Sequence, residues 1–199
     1  MTAQAGDTAS SPARRKTAVR QALRTLRRSL TPSARRRAAH RAALHLARAA
    51  RRWNARHIAA YLSLAEEIDT APLIALLRRQ GCTLYAPRLA RAGRLRFTRL
   101  NARAALRCNR YGIAEPVAQP RPARLDLILL PLVAFDAGGR RLGMGGGYYD
   151  RLLARPRPWR RPTRVGLAFA AQEVTSVPAE ARDVRLDAVV TERGLRRFR

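Results

Sequence analysis

Residues 141–150 read RLGMGGGYYD. Four glycines, Gly143, Gly145, Gly146 and Gly147, stand between Arg141 and the pair Tyr148–Tyr149, and Asp150 closes the run. Glycine turns sharply and lets a ligand approach the backbone N–H groups. An apolar stretch, LILLPLVAF (127–135), precedes the run, and RLLARP (151–156), with helical character, follows it. A loop that leaves a buried strand and enters a helix presents its N–H groups at the helix's positive end, where phosphate binds. Arg141 can pair with a phosphate. Asp150 supplies a carboxylate, and Mg²⁺ is commonly held by a carboxylate together with phosphate oxygens. Tyr148 and Tyr149 offer flat faces to a ring, or packing for the first helical turn. The run is not a P-loop, which needs Gly-Lys followed by Ser or Thr, and it matches a dinucleotide fingerprint poorly. Glycine content alone leaves a tight turn as the second reading.

The elements around the loop follow from periodicity. Val19, Leu23, Leu26 and Leu30 make one apolar stripe on a helix over 14–30. Thr31-Pro32 restarts the pattern as cap and first turn, and Ala42, Leu46, Ala49 and Trp53 form a second stripe. HIAAYLSL (57–64) reads as a strand, Thr70 as the cap of a helix carrying Leu73, Leu76 and Leu77, Gly81 as its end, and CTLYAPRL (82–89) as the next strand. That order is a βαβ unit. RLRFTRL (94–100) alternates like a strand, and NRYGIAEP (109–116) reads as loop. LDLILLPLVAFD (125–136) suits a strand buried on both faces that ends or bends near Pro131. RVGLAFA (164–170) and LDAVVTE (186–192) complete the set. The expectation is α/β: a single domain over 13–199, with an open, mostly parallel sheet flanked by helices and an N-terminal helical pair. Residues 1–12 read as a disordered tail.

Composition limits the function classes. The chain has 199 residues, 47% hydrophobic, enough for one domain with a core. No apolar run reaches a membrane span, and the N-terminus lacks the apolar segment of a secretory signal. Cys82 and Cys108 are far apart without C-x-x-C spacing, which suits a reducing cytoplasm. The formal net charge is +28, and Lys16 is the only lysine. Such charge attracts polyanions nonspecifically. It fits arginine enrichment from genome composition, and the alternative is a basic RNA-binding protein on the same fold. No nucleic-acid-binding signature supports that alternative. His40, His45 and His57 lie in Arg-rich surroundings and read as surface or packing residues, and no Ser-His-Asp or Cys-His set is evident.

Five separated motifs in order carry a resemblance: KTAVRQALRTLRRSL (16–30), YLSLAEEIDTAPLI (61–74), YGIAEP (111–116), AFDAGGRRLGMGGGYYDRLL (134–153) and DVRLDAVVTE (183–192). Together they resemble the 5-formyltetrahydrofolate cyclo-ligase family, also called methenyltetrahydrofolate synthetases. The resemblance implies ATP- and Mg²⁺-dependent closure of 5-formyltetrahydrofolate to 5,10-methenyltetrahydrofolate, with ADP and phosphate released. It implies that Lys16, Arg20, Arg141, Leu142, Gly143, Met144, Gly145, Gly146, Gly147, Tyr148 and Tyr149 hold ATP. Arg141, Tyr149 and Asp150 would serve catalysis, Leu62 and Glu67 would contact the folate, and Asp150 and Asp183 would bind Mg²⁺, with Asp187 an alternative for the second. Some members carry a basic residue where Gly146 stands, so Arg141 and Lys16 would supply more of the phosphate charge here. The expectation is a cytoplasmic monomer acting on a small-molecule folate with or without a polyglutamate tail. A diverged ATP-dependent ligase with another substrate is the remaining reading. Phosphoryl transfer needs positioning and charge stabilisation, which suits a chain without a protein nucleophile.

Overall fold

The computed structural model describes residues 11–90, 93–119, 124–154, 162–178, 180 and 183–198. Helix α1 spans Pro12–Ser29, capped by Ser11, whose Oγ accepts from the Arg14 N–H at 3.4 Å. The helix therefore begins inside the stretch read as tail, and residues 1–10 of that stretch lie outside the described residues. Helix α2, Pro32–Arg52, starts as expected: Thr31 Oγ1 accepts from the Ala34 N–H at 3.2 Å, with proline at the first turn.

The main sheet has seven strands. In chain order they are β1 (His57–Ala59), β2 (Thr83–Leu89), β3 (Leu95–Arg99), β6 (Leu127–Leu130), β9 (Thr163–Leu167), β10 (Ala188–Thr191) and β11 (Gly194–Arg197). Their spatial order is β11-β10-β9-β6-β1-β2-β3. The five inner strands are parallel, and β3 and β11 close the two edges antiparallel. Two small hairpins stand apart: β4 (Leu106–Cys108) with β5 (Ala114–Pro116), and β7 (Ala134–Phe135) with β8 (Arg141–Leu142). Helix α3 is Ala71–Arg79 and α4 is Tyr148–Leu153.

Side-chain alternation on fully buried strands separates two cores. Ile58, Leu127, Leu129, Val165 and Val190 face a layer containing the α2 residues Ala39, Ala42, Ala43 and Leu46 and the α3 residues Leu73 and Leu77. Ala59, Ile128, Leu130 and Val189 face the other way, where Tyr149, Leu152 and Leu153 of α4 pack. The alanine-rich face of α2 permits close approach to the sheet, while its arginines, the half-buried Arg35 excepted, point outward. Leu46 is completely buried there; truncation to alanine would cost about 2–5 kcal/mol.

Several expectations need correction. The strand expected over 57–64 stops at Ala59 because Thr70 takes over the backbone beyond it. The Thr70 hydroxyl donates to the Tyr61 carbonyl at 3.0 Å and accepts from the Ser63 N–H at 3.3 Å. Thr70 is thus committed backwards and does not cap α3 with its side chain; Asp69 Oδ1 accepts from the Ala71 N–H at 2.9 Å instead. The stretch 109–116 is not all loop, since its end pairs as β5. The strand expected over 125–136 ends before Pro131, as anticipated, but the chain then forms the β7–β8 hairpin before the glycines. Asp136 builds that turn by accepting from the N–H groups of Gly138 and Arg140 at 2.9 and 3.0 Å. On α1 the buried face is Lys16, Leu23 and Arg27, while Leu26 is only partly covered.

Candidate active site

The chain runs outward from β1 to β2 on one side, then returns to place β6 on the other. Neighbouring parallel strands whose connections diverge leave a crevice beyond their carboxyl ends, where ligands of such folds bind. Both sequence-predicted loops leave from that point. Residues 60–70, with Leu62 and Glu67, follow β1; residues 131–147, with the glycines, follow β6.

The glycine loop is held open from below. Arg20 on α1 donates from Nε to the Gly143 carbonyl at 2.9 Å, and its guanidinium carbon lies 3.7 Å from where a Gly145 Cβ would stand. Gly145 and Gly147 have φ of +104° and +62°, conformations that favour glycine. Among the described residues, none accepts a hydrogen bond from the backbone N–H groups of residues 143–147. The loop therefore presents consecutive unpaired donors next to two arginines. Met144 is exposed, whereas Leu142 is buried under α1 with Leu23 and Val133. The Tyr148 ring covers Gly146, where a Cβ would fall 2.6 Å from it. Tyr148 also shares a 2.8 Å hydrogen bond with the Tyr111 hydroxyl, joining the loop to the β4–β5 hairpin tip.

Arg141 is buried and donates from Nη2 to Asp150 Oδ1 at 2.7 Å; its Nε has no partner among the described residues. The same Asp150 oxygen accepts from the Val184 N–H at 3.1 Å, which brings Asp183 alongside. Asp183 Oδ2 accepts from Lys16 Nζ at 2.9 Å and from the Glu180 N–H at 2.8 Å, and Lys16 also donates to Glu180 Oε1 at 2.9 Å. Burial works against the Asp183 carboxylate, but the Glu180 N–H and Lys16 outweigh it and hold its pKa below the ordinary value. Asp187 sits elsewhere. Its carboxylate accepts from the Arg164 backbone N–H at 2.8 Å, at the amino ends of β9 and β10, the opposite end of the parallel strands.

Glu67 is partly buried, and its Oε2 accepts from the Leu64 N–H at 2.9 Å. Burial raises its pKa, and the Leu64 N–H and then Arg27 act in the other direction. Tyr149 feels both loops. Its pKa is raised by burial and then by the charge of Glu67, with Arg141 opposing. Leu62 packs against the main core nearby. The structure thus gathers Lys16, Arg20, Arg141, Asp150, Asp183, Tyr149 and Glu67 at one end of the sheet.

Sequence reasoning missed three contributors. Glu180 shares Lys16 with Asp183. Glu66 gathers Arg24, Arg27 and Arg28 from α1. Arg35 on α2 donates to the Arg27 carbonyl at 2.8 Å and the Glu67 carbonyl at 3.0 Å. The available signal was the spacing Lys16, Arg20, Arg24, Arg27, which lies along one side of a helix.

Fold and loops together define a class: a doubly wound α/β protein whose two sequence-predicted loops leave from the point where the strand order reverses. The sequence profile described as "5-formyltetrahydrofolate cyclo-ligase family" matches residues 12–192, and the chain belongs to that family. Among its relatives, 5-formyltetrahydrofolate cyclo-ligase of Escherichia coli (strain K12) is 39% identical over 175 residues, covering 85% of this chain and 96% of the relative. The Haemophilus influenzae protein of the same name is 36% identical, covering 84% and 92%. The NMR structure of Aquifex aeolicus 5,10-methenyltetrahydrofolate synthetase superposes with a TM-score of 0.80 at 32% identity, covering 92% of this chain and 93% of that one.

Proposed function

We propose that the chain catalyses the ATP- and Mg²⁺-dependent cyclisation of 5-formyltetrahydrofolate to 5,10-methenyltetrahydrofolate, with release of ADP and phosphate. The observation that carries this reading is the run of unpaired N–H groups at residues 143–147, beside the buried Arg141 and at the same sheet end as Glu67. In the reaction the formyl oxygen accepts the terminal phosphoryl group of ATP. N10 of the folate then attacks the formyl carbon, and the oxygen departs as phosphate, completing the ring.

The residues divide this work. The loop N–H groups, Arg20 and Lys16 would bind and orient the phosphates, with Leu142, Met144 and Tyr148 shaping the nucleotide's surroundings. Arg141, with its buried Nε–H still unspent, would stabilise charge on the transferring group. Tyr149, with its phenol kept neutral, would line the space between nucleotide and folate. Glu67 would accept hydrogen bonds from pterin N–H groups, with Leu62 beneath.

The carboxylates fit a Mg²⁺ ion that arrives with phosphate. Among the described residues no three His, Cys, Asp or Glu side chains form a cage, whereas Asp150 and Asp183 are brought together with one oxygen each outside the hydrogen bonds just described. Mg²⁺ is commonly held by one or two carboxylates plus substrate phosphates. Bound there, it would neutralise phosphate charge. The same reading makes the protein a cytoplasmic monomer acting on a folate with or without its polyglutamate tail.

Purified protein mixed with 5-formyltetrahydrofolate, ATP and Mg²⁺ is expected to develop methenyltetrahydrofolate absorbance. Folded protein that forms no product with all three saturating overturns the proposal. Asp150→Asn and Arg141→Ala are expected to remain folded by circular dichroism and to lose about a hundredfold or more in turnover. Near-normal kinetics in both would remove the site assignment.

A further inference from the structure

We propose that Lys16 is an exchangeable counter-ion: its ammonium bridges Asp183 and Glu180 until a nucleotide arrives, then moves to phosphate and leaves Asp183 to the divalent ion, so that metal enters with nucleotide and not ahead of it. The inference rests on the reading of Lys16 as a phosphate contact and of Asp183 as a metal ligand.

Lys16 Nζ lies 2.9 Å from Asp183 Oδ2 and 2.9 Å from Glu180 Oε1. Lys16 is only 8% exposed, so its head is lodged between the two carboxylates and not waving in solvent. Burial works against its charge, and the two carboxylates outweigh burial and keep the ammonium. Asp150 is matched in the same way, by Arg141 Nη2 at 2.7 Å. The two candidate metal ligands, joined through the Val184 N–H on Asp150, thus each carry a cation of the protein's own. A divalent ion approaching alone meets two positive side chains beside the carboxylates it needs. Nucleotide phosphates change that balance. They attract the ammonium away from Asp183 and bring oxygen ligands for the metal.

Lysine suits such a transfer. Its head is a compact charge on a flexible four-carbon stem, whereas a guanidinium grips a carboxylate through two parallel bonds. Lys16 is the only lysine among 41 lysines and arginines. One turn further along α1, Arg20 fixes the helix to the Gly143 carbonyl at 2.9 Å. The backbone of Lys16 therefore stands about 6 Å along the axis from a residue that touches the glycine loop, while its head turns to Asp183. Glu180 has no part in the reaction. It is the more exposed of the two acidic partners, and it keeps hold of the ammonium when Asp183 lets go. Glu180 is a positioning residue that acts through Lys16.

The test uses the full chain. Mn²⁺ is the paramagnetic probe of the divalent site, read by electron spin resonance without nucleotide. Calorimetry reads the affinity of a non-hydrolysable ATP analogue with Mg²⁺. The parent should bind Mn²⁺ weakly, and Lys16→Met about tenfold more tightly. Asp183→Asn added to Lys16→Met should remove that gain. Analogue affinity should fall about tenfold or more in Lys16→Met. Lys16→Arg keeps the charge; it should leave Mn²⁺ binding weak and still lose analogue affinity, because the fork stays on Asp183. Glu180→Gln should weaken the analogue a few-fold in the parent background and not at all in Lys16→Met. Lys16→Gln serves the same comparisons should the methionine variant not fold. A Lys16→Met variant that loses analogue affinity but gains no Mn²⁺ binding overturns the exchange and leaves the phosphate contact standing. A Mn²⁺ gain that survives Asp183→Asn, or a Lys16→Arg variant that binds the analogue like the parent, also overturns it. A Glu180→Gln effect of equal size in both backgrounds removes Glu180 from the exchange. Analogue affinity unmoved by both Lys16→Met and Asp183→Asn sinks the underlying reading of those two residues instead.

Discussion

Gly147 sits at φ +62° immediately before α4, and a Cβ there would lie 2.8 Å from Arg151 Nη1. Gly147→Ala should therefore cost about 1–2 kcal/mol from the left-handed backbone. The contact itself can relax, because it involves the far end of a flexible side chain. Thermal unfolding should shift down by a few degrees, and nucleotide affinity should weaken as the loop N–H groups turn away. Unchanged melting and unchanged nucleotide binding would show that the loop tolerates another conformation. This glycine could be read from the string because it stands in a run with Arg141 and Asp150. Gly166 could not. It lies mid-strand in β9, where a Cβ would fall 2.6 Å from Leu132 and 2.8 Å from Leu186, so close packing from distant segments demands it. Arg27 was hidden for a similar reason. An arginine among many arginines gives no sign of burial, and only the arrival of residues 64–67 over α1 reveals it.

The loop between β1 and α3 behaves as an element tethered by charge. Arg24 leads in holding Glu66 at a pKa of about 2, against an ordinary 4.5, with Arg28 adding to it. A folded-state value below the unfolded one contributes stability that is present above the unfolded value and is lost as pH falls through the folded one. The tether should therefore loosen from about pH 4.5 down to about pH 2. The protection of residues 64–69 against hydrogen exchange, taken relative to the intrinsic amide rate at each pH, should fall across that window, and Glu66→Gln should show the lower protection already at neutral pH. Parent and variant exchanging alike at neutral pH would argue that the loop is held by Arg35 and Thr70 alone. The sequence disclosed the elements with strong periodicity: α1, α2, the β1-α3-β2 unit and the buried β6. It did not disclose β11, whose Leu195-Arg196-Arg197 lacks apolar alternation and pairs through its backbone with β10. Nor did it disclose the β7–β8 hairpin, because Asp136 makes that turn with a side chain buried by residues far along the chain, including the Val177 N–H at 3.0 Å.

At the scale of the molecule, charge is the dominant property. The formal net charge is +28, and a surface groove of about 560 Å³ along α2 is lined by Ser33, Arg36, Arg37, His40 and Arg41. All five belong to one helix, so the groove encloses nothing, and its lining includes no residue of the loops at the sheet's carboxyl end. No helix among the described residues is long and apolar enough to cross a membrane. Binding to random RNA should be measurable at low salt, fall steeply as salt rises, and show no preference for a structured RNA at physiological ionic strength. A marked preference surviving there would favour a selected nucleic-acid face. The cationic side chains of α1 have a different consequence. Lys16 reaches Asp183, Arg20 the Gly143 carbonyl, and Arg24 the Glu66 carboxylate, each four residues after the last. At 1.5 Å per residue the first and third stand about 12 Å apart along a rigid rod. The helix is in effect a gauge block that sets the gap between the glycine loop and the loop after β1. Length variation within it would put every later contact out of phase by about 100° per added residue.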